Sequence, residues 1–232
     1  MSTSISAKRR RVSAVVAHPD DEVLGCGGAL RRHVVAGDEV SILILADGEM
    51  SRASAGKAEI ERRKSAAVMA AEALGIAHVV LHEFPDNRLD TVAALDIAKV
   101  AEAHIREVGP DTIYTHHSGD VNIDHSSVHR AVVTACRPQA GQTVDTLLFF
   151  EIPSSTEWQP PGSAAPFLPN WFIDISDALE AKMNALKAYD HEMRPWPHPR
   201  SYRGVESLAR WRGATVGCEA AEAFILGRRI VR

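Results

Sequence analysis

The sequence has little net charge, and its acidic and basic residues are mixed along the chain. The 26 lysine and arginine residues nearly balance 30 aspartate and glutamate residues, which leaves a formal net charge of −4 at pH 7. A surface that binds polyphosphate needs clustered positive charge. The composition therefore argues against a nucleic-acid binder, and we expect a small-molecule substrate to be recognised by a local site.

Cysteines and long apolar runs are also scarce. The three cysteines, Cys26, Cys136 and Cys218, are odd in number and lack Cys-x-x-Cys spacing, which predicts free thiols in a reducing cytoplasm. The basic start is followed by an apolar stretch, residues 12–17, that is too short for an export signal. Nowhere do ~18 apolar residues run together. We expect a soluble, cytoplasmic protein without a membrane span.

The length of 232 residues favours one large domain. Prolines crowd the stretch after residue 152, at Pro153, Pro160, Pro161, Pro166 and Pro169. A proline-rich excursion of this length is typical of a lid or pocket wall. The prediction is a single domain over residues 1–232, with a core at about 10–152 and a C-terminal pocket or lid region at about 153–232.

Short apolar runs alternate with helical patterns along the chain. The runs at 12–17 and 40–46 lack polar alternation, as expected of strands covered on both faces. The alternation predicts strands at 12–17, 40–46, 78–84, 112–116, 146–152 and 171–175, and helices at 23–35, 57–74, 91–108, 126–136, 177–189 and near 218–226. This order predicts an α/β fold, a Rossmann-like, mostly parallel sheet sandwiched between helices. Sites in such sheets lie at the carboxyl ends of strands.

A polar cluster follows the first predicted strand directly. His18 and Asp21, with Pro19 between them, can turn an imidazole nitrogen and a carboxylate oxygen toward one point, which suits a divalent metal ion. Asp20 is then left beside the metal, where it can take a proton from bound water. The alternative is that Asp20, Asp21 and Glu22 only cap a helix and fill its first turn, where the helix dipole favours acids.

A second polar cluster follows the fourth predicted strand. The loop at 116–125 lies beside the first strand if the strands follow the usual doubly wound order, so His125 is positioned to supply a third ligand. Two histidines, one carboxylate and an open position are typical of a catalytic zinc site. Asp120 and Asp124 are predicted to hold the ligating imidazole in one tautomer. The alternative is a solvated polar loop.

The two clusters together resemble the signature of the PIG-L/LmbE-like zinc-dependent N-deacetylases. The matching residues are Ala17-His18-Pro19-Asp20-Asp21-Glu22 and Asp124-His125, supported by residues 46–49, Arg63, residues 74–75 and residues 85–86. The resemblance implies one Zn²⁺ per chain, bound by His18, Asp21 and His125, with Fe²⁺ or Co²⁺ as alternative metals. It also implies that Asp20 is the general base that activates a zinc-bound water and the acid that protonates the departing amine.

Asn122 departs from the family pattern. Many relatives read His-Pro-Asp-His where this chain has Asn122-Ile123-Asp124-His125, and the first histidine there is thought to help stabilise the oxyanion. An amide donates a neutral hydrogen bond but carries no charge. Asn122 is therefore a candidate oxyanion donor that acts without charge, and zinc, with a tyrosine or histidine from the C-terminal part, is expected to carry more of the stabilisation.

Known members of the family act mostly on N-acetylglucosamine attached to another group, so the resemblance implies hydrolysis of an N-acetylated amino sugar or its conjugate. A homo-oligomer is compatible with this interpretation. The predicted substrate-binding residues are Glu49, Arg63, Asp86, Arg88, Tyr189 and His191. Two have structural alternatives: Arg63 is one helical turn from Glu59 and can form a surface ion pair, and Tyr189 has the spacing of a core residue. A wider set suited to carbohydrate contacts adds Lys182, Glu192, Arg200 and Trp211.

Two other functions are compatible with parts of the sequence. A catalytically silent sugar- or nucleotide-binding module of the same fold is expected to have lost the general base or a metal ligand. The base Asp20 and the three ligands His18, Asp21 and His125 are all present here. The glycines at Gly25, Gly27 and Gly28 superficially resemble the methyl-donor loop of a methyltransferase. They follow an acidic cluster instead of ending a strand, so we interpret them as positions of close helix packing.

Overall fold

The described part of the chain contains one sheet of seven strands. The computed structural model describes residues 9–46 and 57–231, and for residues 57–60 it describes the backbone alone. The strands found there are β1 (Arg11–Val16), β2 (Glu39–Ala46), β3 (His78–Phe84), β4 (Thr112–His116), β5 (Thr146–Phe150), β6 (Trp171–Asp174) and β7 (Ala221–Arg229). Five of the six residues of β1 are buried, as expected for a strand covered on both faces.

The order of the strands reverses beside β1. Across the sheet the order is β3-β2-β1-β4-β5-β7-β6. The first five strands in the chain pair in parallel with their neighbours, whereas β7 is antiparallel to both β5 and β6. The carboxyl ends of β1 and β4 therefore border the crevice in which doubly wound folds bind ligands. The predicted α/β class and the mostly parallel sheet are confirmed.

Helices cover both faces of the sheet. The α-helices of the described chain are α1 (Asp21–Val35), α2 (Lys57–Leu74), α3 (Ala94–Val108), α4 (Ile123–Ala135), α5 (Leu179–Leu186) and α6 (Tyr202–Ala214). One apolar cluster packs α1, α2 and α5 on one face, and a second packs α3 and α4 on the other. None of the helices in residues 9–46 and 57–231 is long and apolar enough to cross a membrane.

The C-terminal elements differ from the sequence prediction. The helix predicted near residues 218–226 is wrong, since this segment forms β7 and pairs with β5 and β6. A short apolar run does not distinguish a helix from a strand buried on both faces. The alanines at 220, 221 and 223 favoured the prediction of a helix. The helix of this region is α6. Its signal was present in Ser201, whose hydroxyl accepts a hydrogen bond from the backbone of Gly204 as an N-cap does.

The glycine-rich segment lies inside α1 and permits close packing. A Cβ atom on Gly25 would come 2.4 Å from the ring of Phe150, and one on Gly28 would come 2.8 Å from Ile175. Contacts this short are not tolerated by real side chains, so only glycine fits. The interpretation as close packing holds, and the segment is not a loop of the kind that binds a methyl donor.

The buried ion pair of Lys182 and Glu222 bonds to the backbone of α1 at a kink in the helix. The backbone of Cys26 leaves helical geometry, with φ −147 and ψ 16, so nearby helical hydrogen bonds are replaced. The Glu222 carboxylate accepts from the backbone of Gly28 at 2.9 Å and of Ala29 at 2.8 Å. The Lys182 ammonium donates to the Leu24 carbonyl at 2.9 Å and to Glu222 at 2.6 Å. These contacts join α5 and β7 to the helix that begins at Asp21.

Removing the lysine from this pair is expected to destabilise the fold. Lys182 and Glu222 are 3% and 5% exposed, so Lys182→Met leaves a buried carboxylate without its cation. We expect the free energy of unfolding to fall by roughly 3–5 kcal/mol in a denaturant titration. The double variant Lys182→Met/Glu222→Gln should recover part of this loss, and a loss below about 0.5 kcal/mol in the single variant would contradict the assigned role.

Candidate metal and catalytic site

The first polar cluster leaves the sheet at the end of β1 through a strained turn. Asp20 has φ 104 and ψ −28, a left-handed conformation that is uncommon for a residue with a side chain. Its backbone amide donates to a Glu22 carboxylate oxygen at 3.1 Å, and its carbonyl accepts from the backbone of Val23 and Leu24. Strain of this kind persists where the surroundings over-determine it, as they often do at functional sites.

Three buried side chains meet at the crevice between β1 and β4. The Oδ2 atom of Asp21 lies 3.3 Å from Nδ1 of His18 and 3.4 Å from Nε2 of His125. The candidate ligand atoms of these residues all lie within 4.8 Å of one another. Ligands of a tetrahedral zinc ion, with bonds of about 2.0–2.2 Å, lie about 3.4 Å apart. The donor set and its spacing thus suit a zinc ion.

A carboxylate lies within 3.1 Å of the second nitrogen of each imidazole. Nε2 of His18 lies 3.0 Å from Asp124 and 3.1 Å from Asp86, and Nδ1 of His125 lies 3.1 Å from Asp120. Metal-binding histidines usually donate this nitrogen to a carboxylate, which fixes the tautomer. The structure thus gives Asp120 and Asp124 separate histidines, where the sequence suggested a single one.

His18, Asp86 and Asp124 form a second group whose spacing permits a metal ion. The Asp124 carboxylate, however, already accepts from the backbone of Asn87 at 2.7 Å and of Leu89 at 2.9 Å. These bonds tie the turn after β3 to the start of α4. The group with His125 is therefore the better candidate for a metal site.

Asp120 is held by residues that the sequence did not point to. The hydroxyls of Ser155 and Thr156 both donate to its carboxylate, the second at 2.7 Å, and the backbone of Asn122 donates at 2.8 Å. Burial acts to raise the pKa of Asp120, but His125 and these hydroxyls lower it to about 2. An anionic Asp120 favours the Nδ1–H tautomer of His125. The only sequence signal was the run of three hydroxyl residues at 154–156, a few residues after the fifth strand.

His116, at the end of β4, supports the site without reaching the cavity. It is fully buried, and its Nε2 accepts a hydrogen bond from the backbone of Ala17 at 2.9 Å. Its ring stacks on that of His125, with centroids 4.0 Å apart. Burial lowers the pKa of His116 well below its usual value. A neutral ring at this place fixes the position of His125 and the end of β1.

Asp20 points into the cavity, and its environment suits a proton acceptor. Its Oδ2 accepts a hydrogen bond from Nη1 of Arg200 at 3.0 Å. Burial raises the pKa of Asp20 to about 6, although Arg200 acts to lower it. General bases work best with a pKa near the operating pH. Burial also acts to raise the pKa of Asp21, but His125 and His116 lower it well below its usual value. Of the two neighbouring carboxylates, Asp20 is therefore the one that takes up a proton more readily.

The cavity at this site is small and polar. Its volume is about 160 Å³, and its walls are formed by His18, Pro19, Asp20, Asp21, Arg63, Asp86, Asn87, Asn122, His125, Glu192 and Arg200. Arg63 is 5% exposed and donates to Glu192, so it forms a buried pair in the wall. Of the predicted substrate-binding residues, the structure brings Arg63 and Asp86 to the cavity.

Three of the other predicted substrate-binding residues do not line this cavity. Arg88 is exposed and does not line the cavity. Tyr189 is fully buried, and its hydroxyl donates to Glu22 at 2.6 Å, so the prediction that it contacts substrate is corrected to a core position beside Glu22. His191 lies outside the cavity lining, 3.6 Å from Glu192, which belongs to it. Glu49 lies outside the described residues.

Asn122 lines the cavity and also caps α4. Its Oδ1 accepts from the backbone of Asp124 at 2.8 Å, and its Nδ2 donates to the side chain of Asn87 at 3.2 Å. Both ends of the amide are therefore engaged in shaping the loop. The structure adds this helix-capping contact to the catalytic assignment made from the sequence.

Variants of Asn122 separate these two contributions. Asn122→Ser keeps a side-chain oxygen for the cap, whereas Asn122→Ala loses it and should cost about 1 kcal/mol of stability. If Asn122 acts only by capping, turnover of Asn122→Ser stays within about fivefold of wild type. If it donates to the oxyanion, both variants lose ~100-fold or more in kcat with unchanged zinc content.

Comparison with known proteins agrees with this geometry. Residues 13–136, which include both polar clusters, match the family model of PIG-L, GlcNAc-PI de-N-acetylase. The chain belongs to the PIG-L family. Within the LmbE-like deacetylases of this family, the uncharacterised deacetylase YaiS of Escherichia coli is 29% identical over 197 residues, which are 80% of this chain and 94% of YaiS.

Two further similar proteins agree with this assignment. A probable N-acetyl-alpha-D-glucosaminyl L-malate deacetylase of Bacillus cereus is 29% identical over 187 residues, 78% of this chain and 82% of that protein. The crystal structure of a conserved Thermus thermophilus protein superposes with a TM-score of 0.75 at 27% identity and covers 96% of this chain and 97% of its own. The fold is thus that of the PIG-L family.

Proposed function

We propose that this protein is a zinc-dependent hydrolase that removes an N-acetyl group from an amino sugar or an amino-sugar conjugate. The observation that carries the proposal is the position of Asp20 beside the group formed by His18, Asp21 and His125. The four residues are buried and border one polar cavity. A silent binding module has no need of a proton acceptor next to three metal-binding side chains.

The residues of the cluster fit a catalytic metal site. His18, Asp21 and His125 would hold the ion, and the open cavity beside them leaves room for water and substrate. A zinc ion bound there would polarise the acetyl carbonyl and lower the pKa of a water molecule. Asp86, Asp120 and Asp124 keep the two imidazoles oriented through their second nitrogens.

Asp20 would accept a proton from the attacking water and later give it to the departing nitrogen. It takes a proton from water as the water oxygen forms a bond to the carbonyl carbon and the carbonyl π electrons move to oxygen. When the carbonyl re-forms, the carbon–nitrogen bond breaks and Asp20 returns the proton to the departing nitrogen. The products are acetate and a free amine. The raised pKa of Asp20, at about 6, suits both transfers.

The cavity supports a polar, hydroxyl-rich substrate. Its lining is almost entirely charged or amide side chains, and the Bacillus cereus relative is described as acting on an N-acetylglucosaminyl conjugate. Arg63 and Asp86 are placed to contact sugar hydroxyls. The small volume of about 160 Å³ accommodates part of one sugar residue, so the group attached to the sugar would lie outside the cavity.

The test is release of free amine by zinc-loaded protein over a panel of substrates. The panel contains N-acetylglucosamine, its glycosides and pseudodisaccharides, N-acetylated nucleotide sugars and an acetyl-lysine peptide. We expect amine and acetate in equal amounts from at least one amino sugar and none from the peptide. Release from the peptide alone, or from no compound at all, would contradict the proposed function.

A further inference from the structure

The cavity contains a cation whose hydrogen-bonding capacity is only partly used. Arg200 follows the irregular stretch after α5, and its side chain is 22% exposed. Nη1 donates to Asp20 at 3.0 Å, and Nε donates to the Ser154 hydroxyl at 3.1 Å. Among the residues that the structure describes, no acceptor bonds to Nη2. A guanidinium has five N–H donors in a rigid fork, so donors remain for a ligand.

A zinc ion would polarise the acetyl carbonyl, and a second positive group near that carbonyl would add to the stabilisation. When water adds to the acetyl carbonyl, negative charge develops on the carbonyl oxygen, and donors fixed in advance near that oxygen lower the barrier. The attacking water lies next to Asp20, because Asp20 takes its proton. The oxyanion and the attacking oxygen are bonded to the same carbon, so the oxyanion also forms close to Asp20 and within reach of the guanidinium beside it.

The other polar side chains of the cavity are less suited to this task. Asn122 is neutral and uses its amide to cap α4 and to bind Asn87. Arg63 is paired with Glu192 in the wall. Asp20, Asp21 and Asp86 are carboxylates, which accept hydrogen bonds when ionised. Asn87 is also neutral, and its Nδ2 donates to the Asp86 carboxylate at 3.1 Å.

The position of Arg200 is fixed before substrate arrives. Its backbone amide donates to Nδ1 of His198 at 3.1 Å, and its carbonyl accepts from the backbone of Arg194 at 3.0 Å. Together with the Ser154 contact, these bonds hold both ends of the residue. Preorganised donors of this kind need no reorganisation when charge develops.

We propose that Arg200 stabilises the oxyanion of the tetrahedral intermediate through the N–H groups that Asp20 and Ser154 do not use. Arg200 keeps its proton throughout. The negative charge forms on the carbonyl oxygen, is held by the guanidinium, and disappears when the carbonyl re-forms and the carbon–nitrogen bond breaks. The inference rests on the deacetylase function proposed above and names a further catalytic residue for it.

The experiment compares wild type, Arg200→Ala, Arg200→Lys and the control Arg194→Ala, all zinc-loaded. Arg194 is an exposed arginine on the same segment that does not line the cavity. We measure kcat and KM on the best substrate of the panel, with added guanidinium as a rescue agent. Calorimetry measures binding of a methylphosphonamide analogue, which is tetrahedral and anionic at phosphorus, and of the product amine.

We expect Arg200→Ala to lose ~100-fold or more in kcat with little change in KM. The analogue should bind less tightly by a similar factor, while product affinity, zinc content and thermal melting stay near wild type. Guanidinium should restore part of the turnover of Arg200→Ala. The kcat of Arg200→Lys should be about tenfold higher than that of Arg200→Ala, because lysine retains the positive charge. The control should behave as wild type.

Three results would overturn the inference. One is a kcat within about fivefold of wild type in Arg200→Ala. Another is a rise in KM alone, which indicates ground-state substrate binding. The third is equal loss of analogue and product affinity. If Arg200→Ala does not fold, the same comparisons apply to Arg200→Lys. If wild type neither releases amine nor binds the analogue, the proposed function itself fails.

Discussion

Asp20→Asn is expected to bind zinc normally and to lose roughly two to four orders of magnitude in turnover. General-base catalysis contributes about this much to a reaction that needs a proton transfer. Asparagine tolerates the left-handed backbone at this position better than most residues, where φ is 104. Its amide oxygen can also accept the hydrogen bond from Arg200. The variant thus removes the proton acceptor and leaves the shape of the cavity in place.

The control for this prediction is Asp90→Asn, which removes an exposed carboxylate from the turn after β3. Turnover, zinc content and melting temperature are measured for both variants and wild type. Asp90→Asn should match wild type in all three. Turnover of Asp20→Asn within about fivefold of wild type, at equal zinc content, would remove Asp20 from the proposed mechanism.

His125→Ala is expected to lose zinc and, with it, activity. Nε2 of His125 faces Asp21 at 3.4 Å, and Nδ1 is held 3.1 Å from Asp120. Losing an outer hydrogen-bond partner of a metal ligand already weakens metal affinity by about 10–100-fold, so losing the ligand itself should cost more than about 100-fold. Competition with a chromophoric chelator measures this affinity directly.

His78→Ala is the matched control, because His78 is an exposed histidine at the start of β3, on the opposite edge of the sheet. It should retain about one zinc ion per chain. The same loss as in His125→Ala is expected for His18→Ala. Undiminished zinc content in either His18→Ala or His125→Ala, measured by elemental analysis on folded protein, would show that the ligands are assigned incorrectly.

The sequence was informative where local pattern determines structure. The parallel strands β1, β2, β4 and β5 are short, mostly buried runs, so their positions and their carboxyl ends could be predicted within a few residues. Parallel order then brought His18, Asp21 and His125 to one edge, although three further strands lie between Asp21 and His125 in the chain. The geometry of the three side chains is consistent with that prediction.

Other parts of the site depend on contacts that no local pattern encodes. Arg200 reaches Asp20 across 180 residues, and Ser155 and Thr156 reach Asp120 across 35 and 36 residues. Their residue types are common on surfaces, and only tertiary packing makes them part of the cavity. Tyr189 was predicted to bind substrate and is instead buried in the core, which its residue type alone could not show. The strand β7 was missed because alanine-rich apolar segments suit either secondary structure.

Zinc titration of metal-stripped protein shows whether amine release depends on one bound zinc ion per chain. The protein is stripped with a chelator, and amine release from the best amino-sugar substrate is measured as zinc is added in fractions of an equivalent. We expect negligible release without metal and a linear recovery that stops at about one zinc ion per chain. Full activity in the stripped protein, or zinc binding in this ratio with no release of amine, would contradict this expectation.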